Sequence, residues 1–215
     1  MKKLIIIAAA FPMLMIANSC SCERYEEAKN AVNAVKNLAE NAESIQQSME
    51  DANKRAQERK ERGDTVAIHY EQLAEYLPEA FNGYEKEGEM DGGTTKTPGL
   101  GSYSNVEQKY LNANGDKVEV SLVDYNTAYA MYSTVMAAYA AGFEVDNTNE
   151  QIKGFEHSEE VKGWTILHKK DKMAEAYAGV SDRFYIMVKA DNQEDVELVM
   201  DVTTKEIPVD RLANL

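Results

Sequence analysis

Two cysteines stand one residue apart, Cys20 and Cys22, and the chain has no others. Residues so close cannot easily close a disulfide of ordinary geometry, and no third cysteine is there to pair with either. Their thiols are left for chemistry done singly. The histidines are His69, His157 and His168, and none has a second His or Cys at a metal-ligand spacing, so the signal for zinc is absent. No Gly-x-Ser-x-Gly elbow occurs to raise a serine nucleophile. Gly92-Gly93 and Gly99-x-Gly101 lack the helix N-terminus and lysine that a phosphate loop needs. The sharpest ionic option is Glu87-x-Glu89-x-Asp91-Gly-Gly, with three carboxylates on alternate residues before a flexible turn. Hard oxygen ligands in that pattern suit calcium, although the later bidentate Glu of an EF-hand loop is missing; a solvated acidic loop is the simpler reading. Asn112-x-Asn114-x-Asp116 repeats the pattern more weakly. Ser181-Asp182-Arg183-Phe184 sets an ionic pair between two apolar runs, where Arg183 bonds Asp182 or Asp124 and fixes a hairpin turn. No residue of the chain is assigned to catalysis, and no cofactor is implied.

The cysteines close a distinctive N-terminal segment. Lys2 and Lys3 are followed by an apolar run over residues 4–17 that contains Pro12. That run is shorter than the roughly 20 residues a stable spanning helix needs. With small residues and a cysteine directly after it, the segment reads as a secretory signal over residues 1–19. Ala17-Asn18-Ser19-Cys20 resembles the lipobox of bacterial lipoproteins, with Ala17 standing where leucine is usual. The resemblance implies cleavage after Ser19 and lipidation of Cys20, by palmitate or a similar chain. Cys22 is the alternative lipidation site, but a polar residue stands where its frame expects a large apolar one. By the same resemblance the mature protein is anchored in the cell envelope, most naturally in the outer membrane, facing the periplasm or the outside.

Charge divides what remains. Residues 23–62 carry 9 acidic and 8 basic side chains, whereas residues 63–215 carry 28 acidic and 13 basic, a net of −15. Such a field repels nucleic acid and anionic headgroups, so neither is expected to bind the acidic domain. A basic protein partner or divalent cations would suit it.

The elements that would position these groups begin with residues 23–62, which hold no Gly or Pro. Ala28, Val35, Ala42, Met49 and Ala56 recur at one heptad position, and Ala31, Leu38, Ile45 and Ala52 at another. The pattern predicts a packed helix or coiled coil, about 60 Å long at 1.5 Å per residue. Its alanine-rich stripe buries little, so the helix is expected to act as a spacer outside the domain's core, able to self-associate. Residues 87–101 read as a Gly/Thr loop. Asn114-Gly115 predicts a hairpin between strands at residues 104–111 and 117–125. Residues 127–141 (TAYAMYSTVMAAYAA) predict a helix buried on more than one side; its Tyr129, Tyr132, Tyr139, Met131 and Met136 read as core. Three further strands are expected at 163–168, 173–180 and 184–190, then a final helix over 193–206. Consecutive strands predict an α+β fold, with a long N-terminal helix followed by an antiparallel sheet of about five strands and helices packed on it. That order is loosely similar to the PsbP and Mog1 sandwich domains.

Three segments therefore follow: a signal (1–19), a lipid anchor and helical spacer (20–62), and an acidic α+β domain (63–215). The expected function is that of an envelope lipoprotein whose domain binds another envelope protein without catalysis. The alternative is a small-ligand carrier with a pocket between the sheet and the Tyr/Met-rich helix, and an apolar cavity there would distinguish it.

Overall fold

In the computed structural model, residues 42–97, 101–126 and 144–215 are described, with 128, 131–133, 135, 136 and 142 between them. Chain order gives a helix α1 (Ala42–Glu61), short helical turns Tyr70–Leu73 and Ala74–Tyr76, and nine strands. These are β1 (Ala80–Phe81), β2 (Tyr84–Thr97), β3 (Gly101–Leu111), β4 (Lys117–Asp124), β5 (Val145–Asp146), β6 (Glu150–Ser158), β7 (Val161–His168), β8 (Met173–Val180) and β9 (Phe184–Ala190). Short helices Glu197–Asp201 and Val209–Ala213 follow, separated by a π turn, Val202–Glu206. The nine strands form one antiparallel sheet in the order β1-β2-β3-β4-β9-β8-β7-β6-β5. Two meanders thus meet at a seam between β4 and β9.

This corrects the expected fold. The sheet has nine strands rather than about five, and the described helices packed on its main core are short; of the expected N-terminal helix, Ala42–Glu61 is described and helical. Residues 23–41 lie outside the described ones. The main source of the error is β2, read as a loop because it has almost nothing apolar to bury. It is held instead by backbone pairing to β3 from Glu85 to Thr97, with a register shift between Glu87 and Asp91 where Gly88 takes φ +69°. Gly92 is required there: a Cβ would meet the Asn105 carbonyl oxygen at 2.9 Å and the Tyr70 ring at 3.1 Å. The hairpin around Asn114-Gly115 does form, as β3 and β4. Its turn is closed by Asn112, whose Oδ1 accepts from the backbone N–H groups of Asn114 and Asp116.

Strand alternation separates two faces. On one, Val106, Val118, Val120, Leu122, Ala176, Ile186 and Val188 are buried against Leu73, Leu77, Val199, Val202, Ile207 and Leu212 of the short helices. This is the main core. On the other face a smaller cluster of Tyr125, Ala128 and Tyr132 packs with Tyr103, Val123, Val135, Met136 and Tyr185. The described part of the helix expected at 127–141 sits here. Met131 on it is 43% exposed while Tyr132 is buried, so its outer side faces away from the sheet. Tyr129 and Tyr139 lie outside the described residues.

None of the described side chains of α1 belongs to the main core, yet the helix is seated on the domain. Ala52 and Arg59 are buried, and Arg55 is ion-paired with Asp182 in the β8–β9 turn. No helix among the described residues is long and apolar enough to cross a membrane.

Candidate functional site

The face opposite the main core carries the densest aromatic group. Along β7, β8 and β9 every second residue points to this side, which brings Trp164, Tyr177 and Tyr185 together. Trp164 and Tyr177 are direct cross-strand partners, and their rings stack at 5.0 Å with 16° between planes. Tyr185, opposite Gly179, continues the row at 6.3 Å from Tyr177. Stacked aromatic pairs contribute about 0.5–1.5 kcal/mol beyond their burial. All three are half-buried, as are Ile166 and Met187 beside them, whereas the alternating positions Val161, Gly163, Ile186 and Val188 are sealed.

Polar groups hold the row in place. The Tyr177 hydroxyl donates to the buried Glu175 carboxylate two residues away on the same face. Lys189, the cross-strand partner of Glu175, approaches it at 3.6 Å. Burial, and next the Glu175 bond, push the Tyr177 phenol above its ordinary range. Burial does the same to Tyr185. These phenols stay protonated at neutral pH, and that of Tyr177 serves as a hydrogen-bond donor, not as a base. At the row's end Gly179 admits the 127–141 segment closely: an added Cβ would collide with the Tyr132 hydroxyl and lie 2.8 Å from the Met136 methyl. At that point the contact between sheet and helix is solid.

A second polar constellation lies at the β4–β9 seam. Arg183, 4% exposed, donates from Nε to Asp124 Oδ1 at 2.9 Å and from Nη2 to Asp124 Oδ2 at 2.8 Å. Its Nη1 reaches Asp64 Oδ2 at 2.9 Å. Of the two partners the sequence offered, Asp124 is the real one. Asp182 faces the other way and takes Arg55. Asp124 also accepts from the backbone N–H groups of Ile68 and Asn126, both at 2.9 Å. All four of its bonds are therefore spent on holding the seam.

The other candidates are dispersed. Cys20 and Cys22 lie outside the described residues. Glu87, Glu89 and Asp91 are exposed along β2, and no group of three His, Cys, Asp or Glu among the described residues converges as a metal would need. Asn112 and Asp116 bond each other inside the hairpin turn. His69 lies 3.6 Å from Glu71, and both are exposed. The aromatic row was missed from sequence. Its signal was there: Trp164, Tyr177 and Tyr185 each fall on the wet phase of an alternating strand, where a polar residue is the norm.

No family model and no curated protein matches the chain. Among solved structures, the extracellular domain of PknH from Mycobacterium tuberculosis is similar over 69% of this chain and 98% of that one, at 13% identity and a TM-score of 0.44.

Proposed function

We propose that this chain is a cell-envelope lipoprotein, anchored through lipid on Cys20, whose 63–215 domain binds an envelope protein partner and catalyses nothing. The observation that carries the binding reading is the half-buried row of Trp164, Tyr177 and Tyr185 on a rigid sheet. Trp and Tyr are the residues most enriched at protein interfaces, and they dominate interface energetics where they cluster. Lys189 beside the row, its side chain 39% exposed, supplies a hydrogen-bond donor that can orient a partner. The lipid anchor rests on the signal and lipobox of residues 1–20. The seating of α1 on its own domain favours a spacer folded back along the domain over one free to self-associate.

Photo-cross-linking in intact cells tests the reading. A benzophenone amino acid placed at Met187 or Ile166 of the full chain is expected to give one discrete heavier adduct. The same group at exposed Asn214, beyond the sheet, is expected to give none. Adducts from position 214 with none from the aromatic face would refute it.

A further inference from the structure

A strand inside a sheet has hydrogen-bonding neighbours on both sides, and β2 has one on one side only for most of its length. It is 14 residues long, where roughly 5–6 is usual. Its inner side pairs with β3, but on its outer side β1 covers Tyr84 and Glu85 alone. From Lys86 to Thr97 no described strand lies outside it. Nor does its backbone there bond to that of any described residue beyond the sheet ladder. Alternate N–H and C=O groups along this stretch therefore face outward unused. Proteins usually shorten, cover or kink such an edge, because it is a template for another chain. The kink in β2, a register shift that begins after Glu87, is over at Asp91, and Asp91–Thr97 runs in unbroken register against β3. The opposite edge of the sheet offers less. Beyond β5, β6 is free only from Lys153, and its register shifts after Glu156.

Side chains along the edge select what can pair there. Glu85, Glu87, Glu89 and Asp91 are all exposed. Lys86, the one cation among them, is held by Glu79 at 2.8 Å. Lys109, opposite Glu87 in register, turns to Glu107 at 3.9 Å. The four carboxylates are thus left without an ion pair among the described residues. The second half of the edge, Gly92-Gly93-Thr94-Thr95-Lys96-Thr97, is small and β-branched, without proline. A Cβ on Gly93 would meet nothing closer than Asn105 Oδ1 at 4.0 Å, so the approach is open at that point. A second copy of the chain fits poorly. Antiparallel pairing along the whole edge would set Asp91 against Asp91, and like charges directly opposite are destabilising.

We propose that the outer edge of β2 takes up an extended segment of a basic partner protein as an added strand. Ladder bonds to Lys86–Thr97 give attachment whatever the partner's sequence. Selection comes from charge: Glu85, Glu87 and Asp91 share one face, as their partners Leu111, Lys109 and Glu107 do on β3. Lysines or arginines at every second position of the added strand would meet them. The edge lies across the sheet from β7 and β8, so the proposal stands or falls independently of the aromatic face.

Peptide titration and amide exchange on the detergent-solubilised full chain test it. Three short labelled peptides serve as probes: one alternating lysine with valine or threonine, one with proline at its central uncharged positions, and one with glutamate for lysine. The lysine peptide is expected to bind saturably and to slow exchange within residues 86–97, leaving residues 164–187 unchanged. The proline peptide keeps the charge but loses ladder donors, and it is expected to bind at least about tenfold more weakly. The glutamate peptide is expected not to bind. Glu87→Lys combined with Glu89→Lys, at exposed positions where folding is not at stake, is expected to weaken the lysine peptide by about tenfold or more. No binding of the lysine peptide, equal binding of the proline peptide, exchange slowed outside residues 86–97, or unchanged affinity in the charge-reversed variant would overturn it. Exchange in residues 86–97 that slows with protein concentration alone, with a dimer mass in sedimentation, would overturn it in favour of a second copy.

Discussion

Asp124→Ala is the sharpest test of the structural reasoning. Asp124 is fully buried and Arg183 nearly so, and they form a bidentate pair at 2.9 and 2.8 Å. Breaking such a pair from one side strands a charge in the interior, which costs about 3–5 kcal/mol. The backbone N–H groups of Ile68 and Asn126 lose their acceptor in the same change. Unsatisfied buried donors cost about 1–3 kcal/mol each, which places the variant at the upper end of the range. With an m-value of about 2 kcal/mol per molar urea, the midpoint of unfolding should fall by about 2 M. Asp182→Ala is the control. Its pair with Arg55 is partly exposed, with side chains 22% and 47% accessible, and exposed pairs contribute about 0–1 kcal/mol. Adding Arg183→Met to Asp124→Ala should recover part of the loss, because the stranded charge is gone. An Asp124→Ala cost below about 1 kcal/mol, or one equal to that of Asp182→Ala, would mean that the ion pair does not hold the seam.

Two glycines separate rigid from yielding contacts. A Cβ on Gly163 would strike the Tyr177 carbonyl oxygen and lie 2.8 Å from Ala178 Cα, so Gly163→Ala should cost about 3 kcal/mol or more in urea unfolding. At Gly179 the obstacles are the ends of Tyr132 and Met136, which can move, and Gly179→Ala should cost about 1 kcal/mol while shifting the near-UV tyrosine signal. Cys20→Ala should release the protein from membranes or leave an uncleaved precursor, read by fractionation and mass spectrometry; release by Cys22→Ala alone would move the anchor by two residues. The Lys169 hydrogen bond, helped by Gln151, lowers the Asp146 carboxyl below its ordinary range, and Lys172 does the same for Glu194. A depressed folded value means that the contribution is complete above the ordinary carboxylate range and is lost as acid carries the pH down through the lowered values. Carboxyl NMR titration should find both midpoints low, and Lys169→Ala should return that of Asp146 upward.

The strands were legible where one face is apolar and the other wet. Val118, Val120 and Leu122 in β4 and the runs of β7, β8 and β9 announced themselves by that alternation. What failed was pattern reading where burial is absent. β2 has an exposed stretch from Glu85 to Glu89, and its place comes from backbone pairing to the next strand, from Thr97 opposite Gly101 out to Glu85 opposite Leu111, which no alternation of side chains announces. Helix length failed for the opposite reason. Val202–Glu206 continues the apolar spacing of a helix but winds as a π turn, with Thr203 and Thr204 hydroxyls bonded back to the Val199 and Met200 carbonyls. Local side-chain bonds of that kind compete with regular winding. Arg183 was visible as an ionic interruption, but its partner Asp64 sits 119 residues away and only the folded sheet makes them neighbours.

The position of the ion cluster explains why so costly an arrangement is kept. β4 ends at Asp124 and β9 begins at Phe184, its register partner, so Arg183 sits where the two meanders first touch. One guanidinium there gathers Asp124 from the first meander, Asp64 from the segment leaving α1, and the backbone oxygen of Leu215 after the last helix. Buried ion pairs seldom add net stability, but they penalise every arrangement that leaves a charge unmatched. Here each alternative, a slipped seam, an undocked α1 or a displaced last helix, strands at least one of those groups. Replacing both partners by apolar residues removes the stranded charge but loses this discrimination. The Arg183→Met, Asp124→Leu double variant should therefore be destabilised only by the Ile68 and Asn126 N–H groups that lose their acceptor, about 1–3 kcal/mol each, and so by less than Asp124→Ala alone. Amide exchange should at the same time rise in residues 64–68 and 209–215. Unchanged exchange in those two segments would mean that the apolar core alone, through Leu73 and Leu212, sets their places.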